Sequence, residues 1–510
     1  MSISKGSTDK VIVQESTRFS ECLLWDLQTT AYTQFGPTAW SHKGVPFYIT
    51  SNPFTARRYA QVVLGFLRDC AAAKGEMALD LNEPVNILDL GAGSGRFGFL
   101  FLKHLLGWLE GHPLSKIKLR YIMTDMVEDN ISSLRKHPRL KPFIEKGILD
   151  FAYYRLGDKD TPGLQLKESG LSLDRESMRN PSVVIGNYFF DTVHQDLFYT
   201  KKGKLKEGRV SLYVQDGEVS DPEDPAIIDY LQCQYSYYDI EDPDNYYPNH
   251  PDLNILLKNY TQNFGGIPFL FPSGAFEAIR FVSRLTKDRY LLLVGDQGVC
   301  TSQQVVDSGE PVISKHASFS IPVNYHALSS YFQMKEGLAL TTTSPDPSFV
   351  VLAGIQGGEA KDFPETTLAY REGMDAFEPQ NYWSMVNSVN ENLKHTDLDH
   401  MLFLLKLGHW DVSNFHAFFD EIRKKITSAD QKMKDKLAQT MHNIWDNFYS
   451  VSKEESLIIL NMGVLFYEMK RYEDAMCFFE HALEIQEDNE MAKKNLLLSR
   501  AAWEKEGGGR

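Results

Sequence analysis

The stretch Asn86-Ile87-Leu88-Asp89-Leu90-Gly91-Ala92-Gly93-Ser94-Gly95-Arg96-Phe97-Gly98 decides the fold. Its apolar run at 87–90 has the character of a parallel strand covered on both faces. Gly91, Gly93 and Gly95 then supply a turn that tolerates positive φ and close backbone approach. Beyond it Phe99, Leu100, Leu102, Leu105, Leu106 and Leu109 recur at helical spacing. A ligand held by such a strand, turn and helix lies against the free amides that open the helix.

The glycine spacing and one carboxylate say which ligand. A dinucleotide fingerprint wants G-x-G-x-x-G, whereas this turn reads G-x-G-x-G and Arg96 fills the sixth place. The strand ends in Asp89, and a negative group there suits a cation better than a pyrophosphate. S-adenosylmethionine carries a sulfonium and an ammonium. The stretch resembles motif I of the class I S-adenosylmethionine-dependent methyltransferases, D-x-G-x-G-x-G. The resemblance implies that Gly91, Gly93 and Gly95 let the backbone approach that cofactor, and that Asp89 holds its ammonium. The plainer alternative is a glycine turn joining any strand to any helix.

Downstream residues extend the pattern. Residues 118–123 read as a second strand ending in Thr124-Asp125, where a carboxylate accepts both ribose hydroxyls of a nucleoside. Ile148, Leu149, Phe151, Tyr153 and Tyr154 make a third strand, with Gly147 and Asp150 beside it where an adenine amino group or ring is met, and Asp150 and Phe151 count as cofactor-binding candidates. Asp150 reads equally as a surface-turn carboxylate. Residues 183–185 form a further buried strand whose end meets the same crevice. A helix is expected from near Asp191, with Thr192, His194 and Gln195 in its first turn. Asp191 then serves either the chemistry or the helix as an N-cap.

The segment Asn187-Tyr188-Phe189-Phe190-Asp191, followed by Thr192-Val193-His194-Gln195-Asp196-Leu197-Phe198, resembles the N-E-F-F-D-A-L-P motif of the MidA-type methyltransferases. That family includes the mitochondrial complex I assembly protein-arginine methyltransferase. The resemblance spans roughly 45–355, with clear motifs at 86–98, 121–125 and 186–198. It implies S-adenosylmethionine as cofactor, with Asn187, Asp191 and His194 orienting or deprotonating the methyl acceptor. Tyr188 stands where the family has an acid, which removes a carboxylate that a guanidinium would want. His194 and Gln195 stand near the usual proline.

The rest of the chain sorts around this core. Residues 1–50 read as an N-terminal extension with a flexible start at 1–19. Ser51-Asn52-Pro53 opens a helix that ends before Gly75, and its Arg57 and Tyr59 either approach the ligand or pack. Residues 200–275 form an insertion with a hairpin arm at 210–214. Its acidic and aromatic patch at 235–247 reads as a cation-binding surface or as a solvated loop with aromatics folded under it. A helix at 274–285 precedes a strong strand that ends in Asp296 and Gln297, both further site candidates, and residues 350–352 give the last strand. Alternating strands and helices over 51–355 argue an α/β domain with a doubly wound, Rossmann-like, mostly parallel sheet.

Strand signals vanish after the linker at 354–364, and 366–506 read as an all-α, repeat-like domain. Near 456–489, Ile459, Met462-Gly463, Phe466, Ala475, Phe479 and Ala482 fit a tetratricopeptide-like repeat, with Gly463 and Ala475 allowing close helix packing. Such a unit either docks a protein or peptide partner or only packs as a cap.

Composition narrows the classes. The 510 residues carry a formal charge of −15, which argues against general nucleic-acid binding. Five scattered cysteines show no metal spacing, and no metal is implied. No run reaches membrane-spanning length and no secretory signal is evident, so a cytoplasmic protein is expected. Two functions follow: a methyltransferase acting on a protein, arginine included, or on a small molecule; or a weak or inactive methyltransferase-fold scaffold acting through its helical repeat. An NAD-dependent oxidoreductase is disfavoured by Arg96 in the fingerprint.

Overall fold

The computed structural model describes residues 10–40, 48–157, 163–215, 221, 223–316, 318–342 and 348–507. The apolar run ahead of the glycine turn is a strand, β1 (Val85–Asp89), buried at every residue. Six more strands share its sheet: β2 (Leu119–Asp125), β3 (Leu149–Tyr153), β4 (Ser182–Asn187), β5 (Tyr290–Asp296), β6 (Leu338–Thr341) and β7 (Val350–Gln356). Their spatial order is β6-β7-β5-β4-β1-β2-β3. Strands β1 to β5 run parallel, and β7 lies antiparallel between β5 and β6. Chain order reverses between β1 and β4, the place where an open α/β sheet takes its ligands.

Three helices carry residues that matter below. They are α1 (Leu23–Phe35), α2 (Pro53–Ala72) and α3 (Arg96–Leu109). Helix α2 begins where Pro53 predicts: the Asn52 Oδ1 accepts the Thr55 amide at 2.9 Å, closing one of the orphan donors of the first turn.

A second, five-stranded antiparallel sheet was not legible in the sequence. It is built from Lys10–Arg18, Asp196–Lys201, Lys204–Gln215, Gln232–Asp239 and Pro268–Phe271. Two expectations change with it. Residues 10–18 are no flexible start but a strand paired with Lys204–Gln215; residues 1–9 lie outside the described part. The helix expected from Asp191 is instead a single 3-10 turn, Phe190–Thr192, followed by the strand Asp196–Lys201. The reason is a two-residue hairpin. Lys202 and Gly203 both have positive φ, +50° and +75°, the conformation that matches strand twist. The hairpin pairs Leu197 to Lys201 with the next strand. The aromatic and acidic patch folds onto this sheet: Tyr246 donates to Glu207 and Tyr247 to Asp196. Leu24 and Leu27 of α1 join Leu197, Val210 and Leu212 in its core.

The chain divides into two compact units, within 1–47, 61–95 and 108–376 and within 48–60, 96–107 and 377–510. The division differs from a simple cut near 360, because segments of α2 and α3 belong with the C-terminal helices. In that second unit strand signals are indeed absent from the described residues after β7. Helices Ser456–Glu468, Tyr472–Ile485 and Glu490–Lys505 follow one another. Ala475 is fully buried, and a Cβ on Gly463 would stand 2.6 Å from the Phe479 ring. Arg96 has its own task here. Its guanidinium donates to the Tyr449 carbonyl and pairs with the Glu455 carboxylate at 2.5 Å, both residues buried. Among the described residues no helix is long and apolar enough to cross a membrane.

Candidate functional site

Four buried carboxyls gather at the carboxyl ends of adjacent strands. Asp89 closes β1, where the Tyr121 hydroxyl of β2 donates to its Oδ2 at 2.7 Å. Burial, ahead of the neighbouring Asp125 charge, pushes the Asp89 carboxyl up to about 7. Asp125 closes β2 and accepts the Val127 amide at 2.9 Å, with the Asn130 side chain and the Gly93 and Met126 amides close enough to favour its charged form. Burial outweighs these donors and raises it to about 6. Asp125 thus lies near the Gly93 amide of the glycine turn.

The turn has the backbone that its composition predicts. Gly91, Gly93 and Gly95 have φ of +66°, +55° and +77°. Two aromatic rings lie against it: a Cβ on Gly91 would stand 3.1 Å from Phe189, and one on Gly93 2.9 Å from the Trp40 indole. The Ala92 amide donates to the Thr124 carbonyl, which ties the turn to the end of β2.

On the other side of the switch point β4 ends in Asn187. The next residue, Tyr188, has φ +51°, a left-handed backbone that costs a non-glycine residue about 1–2 kcal/mol. Its amide donates to the Gly295 carbonyl of β5 and its ring meets the Phe349 edge, which hold it there. Asp191 follows in the 3-10 turn and faces Asp296 at the end of β5. Neither Oδ1 receives a donor from any other described residue. The two carboxyls lie close enough for their charges to repel, and one proton held between them relieves that repulsion. Burial first, and then mutual repulsion, raises Asp191 well above the ordinary carboxylate range. Burial raises Asp296 too, although Tyr325 donates to its Oδ2 at 2.6 Å. The Tyr32 hydroxyl of α1 feels the charges of Asp191 and Asp125. Its proton is held tightly, chiefly by burial.

Of the residues singled out in the sequence, the structure gathers Asp89, Gly91, Gly93, Gly95, Asp125, Asn187 and Asp191 around the β1–β4 switch point. Three others stand elsewhere. The His194 imidazole lines a separate cavity of about 270 Å³ with Arg18, Asp196 and Arg280. There its Nε2 is 3.6 Å from Glu277, and burial lowers its affinity for a proton. Asp150 pairs with Ile122 while Asp125 pairs with Tyr153, so Asp150 lies three residues, about 10 Å, short of the Asp125 level. Its carboxylate accepts the amides of Phe151, Glu168 and Ser169, the work of a loop clamp. Phe151 is fully buried. Tyr153 and Tyr154 hold the level expected of Asp150 and Phe151. Tyr32 and Trp40 were missed altogether, since nothing local marks a residue that reaches a site from a distant helix.

No family model matches the chain, and neither does any curated protein. Solved structures do align with it. One is a COG1565 superfamily member from Burkholderia thailandensis bound to S-adenosyl-homocysteine. It shares 12% identity, with 68% of this chain and 90% of that one covered, at a TM-score of 0.42. Another, an uncharacterized COG1565 superfamily protein from the same organism, shares 11% identity over the same fractions at 0.39. An O-methyltransferase family protein, again from Burkholderia thailandensis, shares 10% identity over 60% of this chain and 59% of that one at 0.26. These likenesses are too loose to assign a family.

Proposed function

We propose that the chain is an S-adenosylmethionine-dependent methyltransferase built on a doubly wound sheet. One observation carries this reading: the glycine turn lies at the switch point of a sheet ordered β3-β2-β1-β4-β5 on that side, with Asp89 and Asp125 buried beside it. The residues fit the cofactor. The glycines present bare backbone, Asp89 would hold an ammonium, and Asp125 would accept two ribose hydroxyls. When bound, the cofactor supplies an electrophilic methyl on a sulfonium.

The chain's own residues supply position and a proton acceptor. Asn187 and the strained Tyr188 present the acceptor at the end of β4, and the Asp191–Asp296 pair takes its proton at a carboxylate oxygen. Pre-set geometry of this kind accounts for much of such catalysis. The acceptor is a protein side chain or a small molecule. Tyr188 in place of an acid weighs against arginine. The helical unit would dock a protein or peptide partner, a reading supported by the close Gly463–Phe479 packing.

The test uses cell extract and methyl-labelled S-adenosylmethionine. Label reaching an acceptor with the native chain, and not with Asp191→Asn, is the expected result. Equal labelling by both proteins would overturn the assignment of Asp191.

A further inference from the structure

A second site lies away from the glycine turn. Helix Ser273–Thr286 carries Glu277, Arg280 and Arg284 at i, i+3 and i+7, so all three project from one face. That face borders a cavity of about 1180 Å³, to which Tyr154 and His250 also contribute. The Nη1 of Arg280 is buried and donates to no described residue. No carboxylate among the described residues lies within ion-pair distance of Arg280. The two acids whose charges bear on it are engaged elsewhere: Asp252 pairs with Lys335 at 3.2 Å, and Glu277 faces His194. Tyr154 is 7% exposed, yet its hydroxyl also lacks a partner among the described residues. A buried donor left without an acceptor is costly, and more so when it is charged. Both groups belong to residues that line this one cavity, and each has a donor to offer an anion.

We propose that this cavity binds an oxyanion, the carboxylate or phosphate of a small molecule, on the Arg280 guanidinium and the Tyr154 hydroxyl. Arg284 and Arg155 at the same cavity add positive field. A planar guanidinium is the side chain best matched to either anion. Glu277 at the wall disfavours a second negative group close to the first. Tyr154 also touches the candidate cofactor site: its amide donates to the Asp125 carbonyl, and its ring lies 6.5 Å from that of Phe189, the ring against Gly91. The proposal stands whether or not the chain transfers methyl groups.

The test is thermal unfolding and calorimetry of the full chain with sodium phosphate and with sodium malonate, against sodium chloride at equal ionic strength. A saturable response to phosphate, to malonate or to both supports the site, and the pattern says which group it takes. Arg280→Gln should weaken that response about tenfold or more, and Tyr154→Phe less. No response beyond that of chloride, or a full response in Arg280→Gln, overturns the proposal. Should Arg280→Gln fail to fold, Tyr154→Phe decides in its place, a full response overturning the site.

Discussion

Asp191, just past β4, and Asp296, the last residue of β5, face each other in the interior, Asp191 3% exposed and Asp296 not at all. Two carboxyls so placed hold one proton between them and resist losing it. Their folded pKa values are raised above the unfolded ones. Their contribution to stability is therefore whole below the ordinary carboxylate range and is lost as pH rises through the raised values.

An amide in place of one acid keeps a hydrogen bond and removes the repulsion. Asp296→Asn is therefore expected to match or exceed the native chain at pH 8, by up to about 1–2 kcal/mol, and to lose this advantage at pH 5. Urea unfolding at both values checks it. An Asp296→Asn protein much less stable than the native one at pH 8 would contradict a shared proton.

Cofactor affinity should depend on pH in the opposite sense. Asp89 titrates near 7 and Asp125 near 6 in the free protein. An ammonium favours the ionised Asp89, so binding must expel its proton when pH is below 7. Affinity is expected to rise between pH 5 and 7, by up to about tenfold per unit for each coupled group, and to level off above. Titration in buffers of different ionisation heat counts the protons released. Asp89→Asn should flatten the rise and weaken binding.

Gly93 tests the crowding of the turn. Gly93→Ala meets both a left-handed φ and the Trp40 ring, whereas Gly111→Ala, at φ +74°, meets open space. Both should lose about 1 kcal/mol for the backbone, and Gly93→Ala more. Trp40→Ala should recover the difference in the double variant. Denaturant unfolding of the native chain, the three single variants and the double variant measures it, and equal losses at the two glycines would place Trp40 away from the turn.

Asp150 separates a structural carboxylate from a ligand-binding one. Asp150→Ala strands three amides and is expected to lose at least about 2 kcal/mol of stability. Cofactor affinity should stay within about twofold, because β3 places Asp150 below the site. A large loss of affinity in a folded variant would restore Asp150 to the cofactor.

The parts of the site that were legible are those fixed by local chemistry. The apolar run at 87–90, three glycines and a helical repeat of leucines fix β1, its turn and α3 within a short span. Asp125 and Asn187 follow because a buried strand must end where polar residues begin. His194 was misplaced for a long-range reason. Three residues from Asp191, it looked like one helical turn, but the Lys202-Gly203 hairpin draws its segment into another sheet. The strand Lys10–Arg18 has a partner nearly two hundred positions away, and its one apolar run, Val11-Ile12-Val13, is too short to announce it. Asp150 failed on register, which depends on how β3 pairs with β2 rather than on its own residues. Arg96, read as a broken fingerprint, turned out to be an anchor whose partners, Tyr449 and Glu455, lie over three hundred and fifty residues downstream.

The most direct test is calorimetric titration of the full chain with S-adenosylmethionine and S-adenosylhomocysteine, beside an Asp125→Ala variant. Micromolar binding of both ligands, lost or weakened at least about tenfold in the variant, is the predicted result. A folded native chain that binds neither ligand would contradict a methyltransferase site at the β1–β4 switch point.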